Sequence, residues 1–242
     1  MSLDVPGWLL VIALATAPQT AAESCAPASL AALAAAAAEV VGGEQAAAVA
    51  RVRAADEGGP LCRPLRLAAW ASHGWRAALA AADRGGTPDA LAPVAEALKA
   101  LTALGPASLD GRYAAAWLRA AAAAAQDERD EMLVWIEEAR ALSTRLALVG
   151  PAPSWPLPVD LAEGELWHGV DDYELAEAAF TRALVTRETA LAWRGLARAR
   201  DRRGNKPGAC EAYRRVAQML AGETPPAALA VEARGYLLLC VP

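Results

Sequence analysis

Small and apolar residues recur at three- and four-residue spacing along most of the chain, between turns rich in glycine and proline. Residues at these spacings lie on one face of an α-helix, and no stretch shows the two-residue alternation typical of a strand. The pattern predicts an all-α chain of antiparallel helical hairpins, with helices over 29–41, 44–56, 64–84, 87–104, 108–125, 131–148, 159–170, 173–183, 190–203, 206–216 and 227–239.

The segment 150–158 is the clearest interruption in this pattern. It contains four prolines in nine residues, which exclude regular helix. Trp155 and Leu157 favour a crossover packed on the protein surface over a free tether. The predicted organisation is a signal peptide at 1–22, Ala-rich hairpins of degenerate repeats at 23–149, this crossover, and a repeat region at 159–242 that ends in a capping helix.

A spacing of aromatic and small residues recurs 33 residues apart in the C-terminal part of the chain. The first copy is Tyr173-x2-Ala176-x3-Phe180-x2-Ala183, and the second is Lys206-x2-Ala209-x3-Tyr213-x2-Val216. Each copy follows another predicted helix of similar length. A repeated helix–turn–helix of this period predicts a stacked helical array, in which each hairpin buries its apolar face against the next.

Residues from about 159 to 221 resemble the tetratricopeptide repeat (TPR) family, whose pattern is Trp-x2-Leu-Gly-x2-Tyr followed by Ala-x3-Phe. The second repeat carries Trp193-x2-Leu196-Ala197, and Arg200 replaces the expected aromatic. The first repeat carries Gly164-x2-Trp167 but lacks the early Trp-x2-Leu. A fainter unit spans 112–145. The resemblance implies a right-handed superhelix (α-solenoid) whose first helices line a groove that binds peptides or partner helices.

Three arginines lie on the inward stripe of the last repeat if the family mapping holds. Arg194, Arg198 and Arg202 follow each other at four-residue spacing. Arginine offers paired donors to a carboxylate, so these side chains are candidates for clamping an acidic group of a partner. The alternative is a solvated face, in which the arginines pair with Glu188, Asp201 and Glu211.

Composition narrows the classes of function. The chain is 55% hydrophobic but only 5% aromatic, and alanine accounts for most of the difference, which favours helices that approach closely. The net charge is −5, with both signs interspersed and no large basic cluster, so a nucleic-acid partner is not expected.

The N-terminus carries an uncharged apolar run from Trp8 to Ala17. Ten residues are too few to span a bilayer but suit the central part of a secretory signal, with cleavage expected after Ala22 or Ala17. Asp4 and the absence of Lys or Arg in 1–7 depart from that pattern. We expect a periplasmic or secreted protein without a transmembrane helix in its mature chain. A cytoplasmic or membrane-associated protein is the alternative if the run is retained.

Four cysteines accompany this candidate signal: Cys25, Cys62, Cys210 and Cys240. An even count fits an exported, oxidised protein. The cysteines form no Cys-x-x-Cys pair, so a metal site is not expected. In a stacked array each unit touches mainly its neighbours, so the pairings Cys25–Cys62 and Cys210–Cys240 are favoured. The alternative is four reduced, buried thiols.

Other candidates for chemistry are weak. His73 lies between Trp70 and Trp75 on an amphipathic helix, whose tryptophans are expected to pack while His73 stays partly exposed. His168 is expected at a helix end, where a partly cationic imidazole is favourable. No nucleophile elbow or phosphate-binding loop is present, so we expect no catalytic residues, no metal site and no cofactor. The sequence therefore predicts a non-catalytic exported scaffold that binds a protein or peptide; the alternative is an accessory helical domain that supports a cell-envelope or secretion enzyme.

Overall fold

The structure, a computed structural model, describes residues 63–104, 108–148, 157–221 and 228–240. The predicted signal peptide, the first two predicted helices, Cys25 and Cys62 lie outside these ranges. Within them the chain forms helices and no strand, which confirms the all-α class. The nine described helices are α1 (Arg63–Ala82), α2 (Pro88–Leu104), α3 (Leu109–Ala125), α4 (Arg129–Ala147), α5 (Val159–Gly169), α6 (Tyr173–Thr186), α7 (Ala190–Arg202), α8 (Lys206–Met219) and α9 (Ala228–Leu237).

Several of these helices begin with a polar N-cap residue whose side chain accepts a hydrogen bond from the first turn. The Ser108 hydroxyl accepts from the backbone N–H of Gly111 at 3.2 Å. An equivalent hydrogen bond, from a first-turn backbone N–H to the side chain before the helix, starts α6 at Asp172, α7 at Thr189 and α8 at Asn205. The first N–H groups of a helix have no partner inside the helix, so each such bond stabilises its start by about 1 kcal/mol.

Three hairpins share one turn geometry. The backbone is left-handed at Asp127, Asp171 and Gly204, each two residues before the second helix begins. In each turn the next residue donates its N–H to a carbonyl five residues back, always at 2.9 Å. This is the hydrogen bond of a Schellman-type helix end. The α3–α4 hairpin therefore closes with the same turn as the two hairpins that carry the TPR spacing.

The chain divides into two compact units after Leu157, inside the Pro-rich segment. In the first unit α3 packs against α1, α2 and α4. In its core the Trp117 ring meets the rings of Trp75 and Tyr113 edge to face, with a centroid distance of 6.3 Å in each pair. The Tyr113 hydroxyl donates to the carbonyl of Leu157 at 3.3 Å, and Leu157 is buried. Leu157 thus packs on the first unit.

The second unit consists of the hairpins α5–α6 and α7–α8 followed by α9. Phe180 of α6 is fully buried, and its ring lies against Gly164 of α5 and Gly195 of α7. α9 packs on α8, and a disulfide joins Cys210 of α8 to Cys240, the pairing favoured by the sequence. The last helix is thus fastened to the preceding hairpin.

Candidate functional site

The three candidate arginines share one side of α7. α7 contacts both α5 and α9, so this side meets residues from the helices before and after it. We call the resulting surface the arginine face and define it by the following charged and imidazole side chains: Glu165, His168, Arg194, Arg198, Arg202 and Glu232.

Arg194 is the buried member, with 7% of its surface exposed. Its Nε donates to Oε2 of Glu232 on α9 at 2.8 Å. The other oxygen of Glu232 accepts from the Tyr213 hydroxyl at 3.0 Å. Burial, together with the Glu232 charge, raises the pKa of Tyr213 well above its ordinary value, which keeps the phenol protonated as a donor. Arg194 therefore holds α9 against α7 and α8.

Arg198 lies between two groups of α5. Its guanidinium is 3.5 Å from Oε2 of Glu165 and donates to Nδ1 of His168 at 3.4 Å. Arginine has no acceptor, so Nδ1 must accept, and the imidazole proton lies on Nε2. Nε2 is buried and has no hydrogen-bond partner among the described residues.

His168 is neutral at pH 7. Burial in the first place, and then the charge of Arg198, lowers its pKa to about 4. The prediction of a partly cationic imidazole was therefore wrong. A helix C-terminus does favour the cation, but burial and the arginines of α7 outweigh it.

Arg202 is the exposed member. Its guanidinium carbon lies 5.9 Å from the ring centroid of Tyr173, a distance typical of a weak cation–π contact. The Tyr173 hydroxyl donates to Asp171, which fixes the ring. Within the described ranges no carboxylate lies at ion-pair distance from Arg202. Its donor edge is available to a ligand.

The alternative partners expected for these arginines are wrong. Glu188 accepts from the Trp193 indole N–H at 2.9 Å, and Asp201 accepts from the Tyr236 hydroxyl. Glu211 is exposed on α8. The arginines instead reach Glu165 and Glu232 on neighbouring helices. The sequence predicts that the three arginines share one face of the helix. It does not show that, within the described residues, Arg194 and Arg198 pair with glutamates whereas Arg202 has no carboxylate partner.

Arg200, which replaces the aromatic of the TPR pattern, bridges three helices. Its Nε donates to Oε1 of Glu177 on α6 at 3.0 Å, and another nitrogen donates to the carbonyl of Gly208 on α8 at 3.3 Å. Burial of Glu177 opposes ionisation, but hydrogen bonds from Arg200 and Arg203 outweigh it and lower the pKa of that carboxyl. The hydrogen bonds of Arg200 thus join α6, α7 and α8 at the position where the TPR pattern has an aromatic ring.

Two further findings limit the chemistry of the described residues. No group of three or more His, Cys, Asp or Glu side chains there is arranged to hold a metal ion. Among the same residues, every helix is too short or too polar to cross a membrane. Trp70 and Trp75 are buried and His73 is half-buried, as expected, and His73 meets Trp70 edge to face at 6.0 Å.

Comparison with known proteins supports the fold. The chain superposes on the crystal structure of a thermophilic TPR protein from Thermus thermophilus with a TM-score of 0.57 and 20% sequence identity. The match covers 87% of this chain and 100% of that one. No protein-family model and no curated protein matches the sequence. The predicted TPR-like α-solenoid fold is thereby confirmed.

Proposed function

We propose that this protein is a non-catalytic scaffold that binds a protein or peptide partner through the arginine face, with a partner carboxylate on Arg202. The observation that carries this proposal is the exposed guanidinium of Arg202, which rests on Tyr173 without a carboxylate partner in the described part of the chain. The guanidinium touches the ring only weakly, so its planar donor edge stays free, and this edge matches a carboxylate in a two-point contact.

The charge balance of the arginine face supports an anionic ligand. Three arginines meet two glutamates, Glu165 and Glu232, and neutral His168 adds no charge. Among the side chains that define the arginine face one positive charge is left over, and the Asp171 carboxylate lies nearby on the Tyr173 hydroxyl. Arg198 is largely buried and already contacts Glu165 and His168, so it adds positive charge beside Arg202 rather than free donors.

A peptide-display selection on the full-length protein tests this proposal. We expect selected peptides to carry an acidic residue and to bind Arg202→Gln at least about tenfold more weakly than the wild type, which corresponds to about 1.4 kcal/mol. Arg187→Gln is the matched control, because Arg187 is an exposed arginine of the same unit at the end of α6. Equal affinity of the selected peptides for Arg202→Gln and the wild type would contradict the proposal.

We further propose that the protein acts outside the cytoplasm. The Cys210–Cys240 disulfide fits an oxidising compartment, and the apolar run 8–17 followed by small residues fits a cleaved signal. The intact mass of the protein from its native host, with and without reduction, tests this. We expect loss of residues 1–22 and four blocked cysteines. A full-length chain with free thiols would refute export.

A further inference from the structure

A surface cavity of about 180 Å³ lies in the first unit, between α2, α3 and α4. We call it the α2–α4 cavity. Its floor is apolar and buried, formed by Leu101 of α2 with Ala115 and Ala116 of α3. The two alanines leave the space that larger side chains would fill. Ligand sites for whole small molecules usually enclose about 300–1,000 Å³, so this cavity suits a single side chain.

The wall of the α2–α4 cavity carries a cation held in place by an aromatic ring. The guanidinium carbon of Arg119 lies 4.6 Å from the ring centroid of Trp135. The Trp135 indole N–H donates to Glu131 at 3.1 Å, which fixes the ring. Stacking on a fixed ring restricts the guanidinium and leaves its donor edge open.

The charge at the α2–α4 cavity is unbalanced. Arg112 and Glu138 line it together and pair with each other at 2.7 Å, so their charges cancel. Arg119 is exposed and has no carboxylate at ion-pair distance in the part of the chain that the structure describes. Among the lining residues, Arg119 therefore remains as one positive charge beside the apolar floor, while Glu131, which holds the Trp135 ring, lies outside the lining.

We propose that the α2–α4 cavity docks a glutamate side chain of a partner protein. The methylene groups of the glutamate pack on Leu101 and the two alanines, and its carboxylate accepts from the donor edge of Arg119. The size, the apolar floor and the single unpaired cation together fit this side chain. The site lies in the first unit, so it stands whether or not the arginine face of the second unit binds a partner.

Blocked tripeptides provide the test, because the side chain is then the only variable. Acetyl-Ala-Glu-Ala-amide and its glutamine analogue are titrated into the full-length protein while the indole N–H resonance of Trp135 is followed by NMR. The chain has eight tryptophans, so Trp135→Phe assigns that resonance. We expect a saturable shift with the glutamate peptide and affinity at least about fivefold weaker for glutamine, since a neutral amide forms weaker hydrogen bonds to arginine.

Variants of Arg119 complete the design. Arg119→Gln should abolish the difference between the two peptides, and Arg119→Lys should retain part of it, because lysine keeps the charge but loses the planar fork. Arg187→Gln, in the second unit, should change nothing. The proposal is overturned if glutamine binds as well as glutamate, or if Arg119→Gln has no effect. It is equally overturned if a phenylalanine peptide, or a peptide with a free C-terminus but no glutamate, binds more tightly.

Discussion

The close approach of α5, α6 and α7 depends on two glycines that flank one ring. A Cβ added at Gly195 would lie 2.3 Å from Cε1 of Phe180, and one added at Gly164 would lie 2.6 Å from the same atom. Both distances are shorter than any normal carbon–carbon contact. Phe180 is fully buried, and the glycines face its ring from two helices, so the ring has little space to move aside.

We predict that Gly195→Ala destabilises the protein by about 1–2 kcal/mol. Overpacking of this kind costs about 1–3 kcal/mol, and the better helix propensity of alanine returns up to about 1 kcal/mol. Gly164→Ala should cost less, since its contact is longer. Urea unfolding followed by circular dichroism measures both effects.

Gly235→Ala is the matched control for Gly195→Ala. Gly235 lies in α9, and a Cβ there would meet no atom within 4 Å. This change should stabilise the protein by about 0.5–1 kcal/mol through helix propensity alone. Phe180→Leu should recover part of the loss in the Gly195→Ala background, because it removes ring atoms from the overlap. The reasoning is refuted if Gly195→Ala is as stable as Gly235→Ala.

Three further predictions concern charge and covalent links in the second unit. His168 has a pKa of about 4 when folded and 6.5 when exposed, so the unfolded chain binds more protons below pH 6.5. The free energy of unfolding should therefore fall by about 2–3 kcal/mol from pH 6.5 to pH 4, and His168→Asn should remove this component in urea titrations at each pH. Reduction of Cys210–Cys240, which closes a loop of 30 residues, should cost about 3–4 kcal/mol by the loop-entropy relation, measured by urea unfolding with and without reductant; an unchanged midpoint would argue against it. Glu177→Gln should cost about 1–2 kcal/mol because two arginine partners lose their carboxylate, whereas Glu211→Gln on the exposed side of α8 should change the stability by less than about 0.5 kcal/mol in the same assay.

The positions and the ends of the helices can be predicted from residues that are close together in the sequence. Gly85-Gly86 ends α1, Ser108 caps α3, and the described boundaries differ from the predicted ones by a few residues. The Ala-x3-Phe spacing also indicates which aromatic fills the space beside a small residue, and Phe180 does so. These features depend on residues close together in the chain, so the sequence is sufficient to predict them.

The charge pairs of the arginine face could not be predicted in the same way. Arg194 pairs with Glu232, 38 residues further along, and Arg198 with Glu165 on the preceding hairpin. Such contacts depend on how the helices are rotated against each other, and alanine-rich faces give few clues to that register. The low pKa of His168 has the same origin, because the burial and the arginines that cause it come from other helices.

Hydrogen exchange of the full-length protein with a selected peptide tests most directly whether a partner lies on the arginine face. We expect slower exchange in α5 and α7, around 159–169 and 190–202, when peptide is bound. We also expect that Arg202→Gln removes this protection, whereas Arg187→Gln keeps it. Protection confined to α6 and α8, with α5 and α7 unchanged, would contradict binding on the arginine face.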